Sequence, residues 1–195
     1  MFRIERPFAN FVTGVVDPVC GAQSGTANCQ MFKITGNQLN YGAEGMVSGR
    51  VFESLMVTGG LSVLDPKLID TGIPATDGKQ FVGIPNYKSN IFSEYRLPGL
   101  KGAYLNFDWQ HVGRRPMDDI NSAYVPQYNL FDLGLRYTTH IGDNSVTWRV
   151  TANNLTSVHY WSTLGPGSIT GQSTGSYLAH LGEPRLFTAS MRFNF

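Results

Sequence analysis

The chain is poor in charge, in long apolar runs and in basic clusters, and each shortage excludes a class of protein. Only 15% of its 195 residues are charged, against about 25% in an ordinary soluble domain. No stretch approaches the ~18–20 consecutive apolar residues of a membrane-spanning helix. The net charge is +1 and no basic cluster is larger than Arg114–Arg115. We therefore expect no nucleic acid as a partner.

Motifs that would indicate catalysis or metal binding are also missing. The glycines between Gly165 and Gly171 lie in a loop, not after a strand and before a helix, so they form no phosphate-binding cradle. Asp118–Asp119 lie in a loop flanked by prolines, without a partner base. The four histidines lack the i, i+2 or i, i+4 spacing that aims two rings at one metal: His111, His140, His159 and His180. The sequence predicts neither an enzyme nor a metal site.

The chain does contain runs in which apolar and polar residues alternate. In residues 185–195 every second side chain is apolar, because Phe187, Ala189, Met191, Phe193 and Phe195 are separated by polar residues. Side chains on a strand point to opposite faces with a period of two, so this strand has one apolar and one polar wall. We interpret it as a membrane strand with lipid on one side and a lumen on the other. Its final aromatic residues, Phe193 and Phe195, resemble the signal that barrel-assembly machinery reads in Gram-negative outer membranes.

Seven earlier runs alternate in the same way, more weakly toward the start of the chain: residues 2–11, 41–51, 55–64, 91–97, 103–110, 131–138 and 145–155. The connections between them alternate in length. Short turns lie near residues 52–54, 98–101 and 141–144, and long links cover roughly 12–30, 65–86, 115–126 and 156–183. This pattern is typical of membrane barrels with short periplasmic turns and long outer loops. The predicted fold is all-β, an antiparallel transmembrane β-barrel segment of about eight strands.

Several segments are similar to one known family. The stretches FDLGLRY (131–137) and WRVTANNLT (148–156), followed by Tyr160-Trp161, resemble the C-terminal end of TonB-dependent receptors, and LGEPR (181–185) resembles their siderophore branch. The resemblance covers most of the chain and is strongest after residue 131. It implies an open part of a 22-stranded barrel that is closed by an N-terminal plug. It also implies import of ferric siderophores with energy passed through TonB.

The resemblance sets the expected domain organisation and partners. Residues 1–195 would be the C-terminal part of such a barrel, without a plug domain or signal peptide, and Met1 would be an internal methionine of a longer gene. The expected partners are outer-membrane lipid, the barrel-assembly machinery, an iron chelate, and TonB and the plug through the missing N-terminal part. The expected location is the Gram-negative outer membrane, with no cofactor. Two alternatives stay open: a self-contained small barrel serving as an anchor or narrow pore, and a secreted β-sandwich that binds a partner.

Cys20 and Cys29 lie close together in the first long link. In an oxidising compartment, such a pair favours a disulfide that closes a small loop and stabilises it by about 2–3 kcal/mol. A metal-binding pair is the alternative, but no histidine or further cysteine lies nearby.

Aromatic side chains of the long links are the predicted ligand contacts. We select Tyr124, Trp161 and Tyr177, because aromatic rings at the mouth of a barrel suit planar catecholate or hydrophobic metal chelates. The alternative is an interfacial girdle, where amphipathic rings lie at the depth of the lipid headgroups. It applies above all to Tyr160 and Trp161, which directly follow a predicted strand.

The predicted lumen wall contains a pair of like charges. If Gly142-Asp143 is a two-residue turn, Arg136 lies opposite Arg149, and like charges directly opposite each other are destabilising. Three carboxylates on the same face could compensate: Glu94, Asp108 and Asp132. We hypothesise that Arg136, Arg149 and Asp132 belong to a wall on which the plug docks. Simple solvation of these side chains in the lumen is the alternative.

Overall fold

A computed structural model describes residues 1–12, 18, 31–165 and 178–195. The described residues form twelve strands: β1 (Phe2–Val12), β2 (Met31–Phe52), β3 (Leu55–Ile69), β4 (Tyr87–Arg96), β5 (Ala103–Val112), β6 (Arg115–Pro116), β7 (Tyr124–Val125), β8 (Tyr128–Ile141), β9 (Asn144–Asn153), β10 (Trp161–Gly165), β11 (Leu178–Leu181) and β12 (Leu186–Asn194). They include no helix that is long and apolar enough to cross a membrane.

Eight strands form one antiparallel sheet in the order β1-β2-β3-β4-β5-β8-β9-β12, and β6–β7 and β10–β11 form two small ladders. Among the described residues, the edge strands β1 and β12 do not pair with each other, so the sheet is open. The part of the chain that the structure describes contains no second large sheet packed on it. The all-β fold of about eight antiparallel strands is confirmed, and the described strands form neither a closed small barrel nor a sandwich.

All eight predicted runs are strands of the large sheet, and the main difference is the length of β2. This strand has 22 residues, about twice the predicted run 41–51, because residues 31–42 pair with β1. Gly36, Asn37 and Asn40 are weak strand formers, so pairing with β1 overrides their local preference. The ladder is reinforced by Arg6, whose Nε and Nη2 donate to Oε1 of the buried Gln38 at 2.9 and 2.7 Å. The four short strands within the long links were not predicted.

The strand register sorts the side chains into two faces. One rung joins Tyr137, Trp148 and Met191, and the next joins Arg136, Arg149 and Ser190. We call the first side the apolar face; in the last three strands of the large sheet it contains Phe131, Leu133, Leu135, Tyr137, Val146, Trp148, Val150, Ala152, Phe187, Ala189, Met191 and Phe193. Many of its side chains are exposed in this chain, Met191 by 60%. The opposite side is the polar face.

The two ends of the sheet differ. At one end, short turns connect β2 to β3, β4 to β5 and β8 to β9. Gly102 in the second turn needs to be glycine, because its φ is +85° and a Cβ would overlap the carbonyl oxygen of Thr138. The described parts of the later long links meet at the other end, where much of the buried core lies, including Leu68, Thr76, Val82, Arg115, Asp118 and Val125.

Candidate functional site

The polar face contains two opposed arginines, one of which pairs with a carboxylate. Gly142-Asp143 is the turn between β8 and β9, and Arg136 lies opposite Arg149, as predicted. Nη2 of Arg136 donates to Oε2 of Glu94 at 2.9 Å, and its guanidinium lies 4.4 Å from the ring centroid of Tyr104. Tyr104 belongs to the adjacent strand β5 and Glu94 to the next strand, β4, so the sheet itself positions Arg136.

Asp132 bonds to the backbone where the chain turns after β9, and not to an arginine. Its Oδ1 accepts a hydrogen bond from the backbone N–H of Asn154 at 2.7 Å, and it lies opposite Asp108. The side chain of the buried Asn154 bonds to the N–H and carbonyl of Val158, both at 2.9 Å, and to the carbonyl of Glu183 at 3.0 Å. With its φ of +48°, Asn154 turns the chain from β9 into the last link. Sequence reasoning missed this role, although asparagine tolerates positive φ better than most residues.

Arg149 is a cation available on the polar face. Within the described part of the chain it makes no hydrogen bond or ion pair. The same holds for Arg192, which lies one polar rung nearer the short turns, opposite Thr147. The part of the polar face near the short turns therefore has positive charge that the described residues of this face do not neutralise.

At the end of the sheet where the long links lie, Arg115 of β6 connects two of these links. It is only 4% exposed, and its Nη1 donates to the carbonyl of Ser162 at 3.0 Å while Nη2 donates to the carbonyl of Trp161. Its guanidinium lies 5.7 Å from the ring centroid of Tyr128. Burial lowers the pKa of Arg115 from its ordinary value.

The other links are tied together in the same region. Nδ2 of Asn121 donates to the carbonyl of Gln80 at 2.9 Å, and the N–H of Gln80 donates to Oδ1 of Asn121 at 2.7 Å. The N–H of Gly83 donates to the carbonyl of Pro116 at 3.1 Å. Asp118 accepts three hydrogen bonds, at 2.6, 2.7 and 3.0 Å, from the turn that follows it. These links are therefore built around one another rather than projecting separately.

Asp77 closes the turn of the link between β3 and β4. Its Oδ1 accepts from the hydroxyl of Thr71 at 2.6 Å and from the N–H of Thr71 at 2.8 Å. These two bonds, the hydroxyl bond first, lower the pKa of the Asp77 carboxyl because they stabilise its ionised form.

The predicted ligand contacts lie in this outer region where the structure describes them. Tyr124 is exposed in β7, with the guanidinium of Arg114 4.8 Å from its ring centroid. Trp161 begins β10 and is 38% exposed. The ring of Tyr160 lies 4.4 Å from that of Tyr128, which the register places on the polar side of β8. Tyr177 and the predicted disulfide of Cys20 and Cys29 lie outside the described residues.

A cluster of aromatic residues lies on the apolar face. His111 stacks on Tyr87 at 5.3 Å between centroids and lies 6.2 Å from Trp109. Nε1 of Trp109 donates to Oδ1 of Asn129 at 3.0 Å. These residues follow the apolar run of β5 and β8 toward the long links. Alternation of side chains places them on this face, so the sequence contained the signal.

The last strand continues the apolar face to the end of the chain. Phe193 lies opposite Val146, and the ring centroids of Phe193 and Phe195 are 6.0 Å apart. Both side chains are exposed.

Comparison with known proteins agrees with this architecture. A family model described as TonB dependent receptor-like, beta-barrel matches residues 2–155. The ferrichrome receptor FcuA of Yersinia enterocolitica is 28% identical over 195 residues, which is 100% of this chain and 23% of that protein. BauA, the ferric preacinetobactin receptor of Acinetobacter baumannii, is similar with a TM-score of 0.73 and 28% identity over 99% of this chain and 26% of its own.

A more distant structure shows the same fold. The ferric yersiniabactin uptake receptor FyuA of Yersinia pestis has a TM-score of 0.67 and 15% identity, over 85% of this chain and 25% of its own. The chain thus spans about a quarter of the length of these relatives. The family match covers most of the chain, and the resemblance read from its sequence is confirmed. The chain belongs to the TonB-dependent receptor-like β-barrel family.

Proposed function

We propose that residues 1–195 form the C-terminal part of the barrel of an outer-membrane receptor that imports ferric siderophores, with energy delivered by TonB. Membership of the family supports the outer-membrane location. The names of the relatives support the substrate class, since they are receptors for ferrichrome and for ferric preacinetobactin.

We assign the sheet to the wall of a membrane barrel because it combines an exposed apolar face with unpaired edges. Among the described residues, β12 pairs only with β9, and residues 43–52 of β2 pair only with β3. Hydrocarbon cannot satisfy free backbone N–H and carbonyl groups, so membrane strands occur in closed barrels. Further strands would therefore complete the barrel beyond both edges of this sheet.

The outer links supply the proposed ligand contacts. The exposed rings of Tyr124 and Trp161 belong to the region in which the links meet, and flat rings complement planar chelates. We propose Tyr177 as a third contact and a disulfide between Cys20 and Cys29 as a brace of the first link.

The arginines of the polar face suit a plug that carries carboxylates. Arg149 has no partner among the described residues, and charge-assisted bonds between arginine and carboxylate are strong and directional. We propose that Arg149 and Arg136, with Asp132 at the nearby chain corner, form the docking wall. Phe193 and Phe195 are the proposed signal for the assembly machinery.

A segment exchange tests the transport proposal. Residues 1–195 replace the aligned segment of FcuA in a strain that lacks its own ferrichrome receptor, and uptake of ⁵⁵Fe-ferrichrome is measured with and without TonB. We expect TonB-dependent uptake by the chimaera. Ferric preacinetobactin and ferric yersiniabactin serve as alternative probes. A chimaera that is folded in the outer membrane but imports none of the three would overturn the proposal.

Charge reversal in the same chimaera tests the docking wall. We expect Arg149→Glu to lower both uptake and retention of the plug in the barrel, since a docked carboxylate would then face a like charge. Lys101→Glu is the matched control, because Lys101 lies in an exposed turn away from the wall. Equal uptake and equal plug retention in the two variants would refute the docking role.

A further inference from the structure

The hairpin β10–β11 is held at its base by a residue far away in sequence. Arg115 reaches the carbonyls of both Trp161 and Ser162, 46 and 47 residues along the chain. Two successive carbonyls are the kind of target that a planar guanidinium can bridge with two parallel donors, whereas an ammonium offers a single point charge. The contact therefore fixes the direction of the hairpin as well as its distance from β6.

Three further contacts surround this point. The ring of Tyr160, directly before β10, packs at an angle of 38° against that of Tyr128, the same ring that the guanidinium of Arg115 faces. The hydroxyl of Ser162 bonds to the carbonyl of His180 in β11 at 3.1 Å. Gly83 packs so closely on the carbonyl of Leu164 that a Cβ would overlap it. The base of the hairpin is thus held from β6, from β8 and from the link after β3.

This arrangement costs stability, which indicates a role beyond packing. Arg115 is almost fully buried, and within the described residues it has no ion-pair partner. Its Nε has no hydrogen-bond partner among the residues that the structure describes. Burying a charge that is compensated only by carbonyl dipoles and a ring face is unfavourable compared with an apolar residue of similar size. What the arginine supplies in return is a defined geometry.

We propose that Arg115 is a positioning residue that sets the hairpin β10–β11 as a preformed wall of the ligand-binding mouth. The inference rests on the proposed import function for its effect on ligand affinity, but not for its effect on the hairpin. Residues that hold a binding group in place commonly change affinity 10- to 100-fold when they are removed. Arg115 would act through the backbone of Trp161 and Ser162 and would not touch the ligand.

Two readouts test the proposal in the FcuA chimaera on intact cells. The first needs no ligand: the rate at which proteinase K cuts the folded receptor between residues 161 and 181. The second is the dissociation constant of ⁵⁵Fe-ferrichrome per folded receptor. We expect Arg115→Ala to raise the cleavage rate and to weaken binding on the order of tenfold. Free guanidinium ion, which fits the space left by the side chain, should restore both, and sodium ion should not.

Lys79→Ala is the matched control, because it removes a cation from a neighbouring link without touching the hairpin. If Arg115→Ala does not reach the membrane, Arg115→Lys is measured instead. Lysine can bind one carbonyl but cannot bridge two, so we expect both effects to be present but weaker than for alanine. A cleavage rate equal to that of the unsubstituted receptor overturns the proposal. Faster cleavage with unchanged ferrichrome affinity refutes the positioning role and leaves a purely structural one. If the unsubstituted chimaera binds ferric preacinetobactin or ferric yersiniabactin instead of ferrichrome, that chelate replaces ferrichrome as the probe. Absence of binding of all three counts against the proposed function, while the cleavage rates still decide the inference.

Discussion

Substituting Val150 by arginine tests which face of the sheet meets lipid. Val150 lies on the apolar face in a rung with Leu135 and Ala189, near the middle of the apolar run of β9. It is 52% exposed in this chain, and lipid would cover this exposed part. An arginine at the bilayer midplane destabilises a membrane barrel by about 2–4 kcal/mol. The expected change in the folded-to-unfolded ratio is roughly 30- to 1,000-fold.

The neighbouring residue supplies a control at the same depth. Thr151 points to the polar face, opposite Gly134 and Thr188, so an arginine there finds water and space. It loses one exposed hydrogen bond to the hydroxyl of Thr188, and we expect a cost below about 1 kcal/mol. Val150→Leu controls for size and should change stability by less than about 0.5 kcal/mol.

The assay is urea-induced unfolding of the receptor reconstituted in phospholipid vesicles, followed by tryptophan fluorescence. The three variants are compared by their free energies of unfolding. Equal costs for Val150→Arg and Thr151→Arg, or a larger cost for Thr151→Arg, would show that the apolar face does not contact lipid. The wall assignment would then be wrong.

Three further outcomes follow from the backbone and the links. Gly99 has a φ of +78° and open space around it, so Gly99→Ala should lower the free energy of unfolding by about 1–2 kcal/mol. Gly102→Ala should lower it further, because its Cβ also overlaps a carbonyl of β8. Equal losses in the two variants would contradict the overlap. Asn154→Ala should cost about 2–4 kcal/mol in the same measurement because it leaves buried backbone groups unpaired, whereas Asn153→Ala should cost far less. The pKa of Asp77 is lower in the folded link than its unfolded value of about 3.9. Its contribution is therefore present above that pH and is lost as the pH falls through the folded pKa; proteolysis of the link should accelerate below about pH 4, and Asp77→Asn should remove this pH dependence.

Much of the large sheet could be predicted because its determinants are local. Alternation with a period of two assigned Phe187, Met191 and their neighbours to one face before any pairing was known. The turn at Gly142-Asp143 then set the register of β8 against β9, and with it the opposition of Arg136 and Arg149. Because turn and alternation are read within about twenty residues, sequence alone determined this part of the wall.

The site required contacts between residues that are distant in sequence. Glu94, rather than Asp132, pairs with Arg136, and this depends on the stagger of β4, β5 and β8 relative to one another. Residues 31–42 of β2 form a strand only because β1 pairs with them.

The sequence by itself determined the all-β class, the eight strands, their two faces and the family. Only the tertiary structure decided how the links contact one another, that Arg115 holds the base of a hairpin 46 residues away, and that the described strands leave both edges of the sheet open. The physical reason is the range of the interactions. Side-chain alternation is imposed by the backbone of each strand, whereas hydrogen bonds between links depend on where the whole sheet brings their ends together.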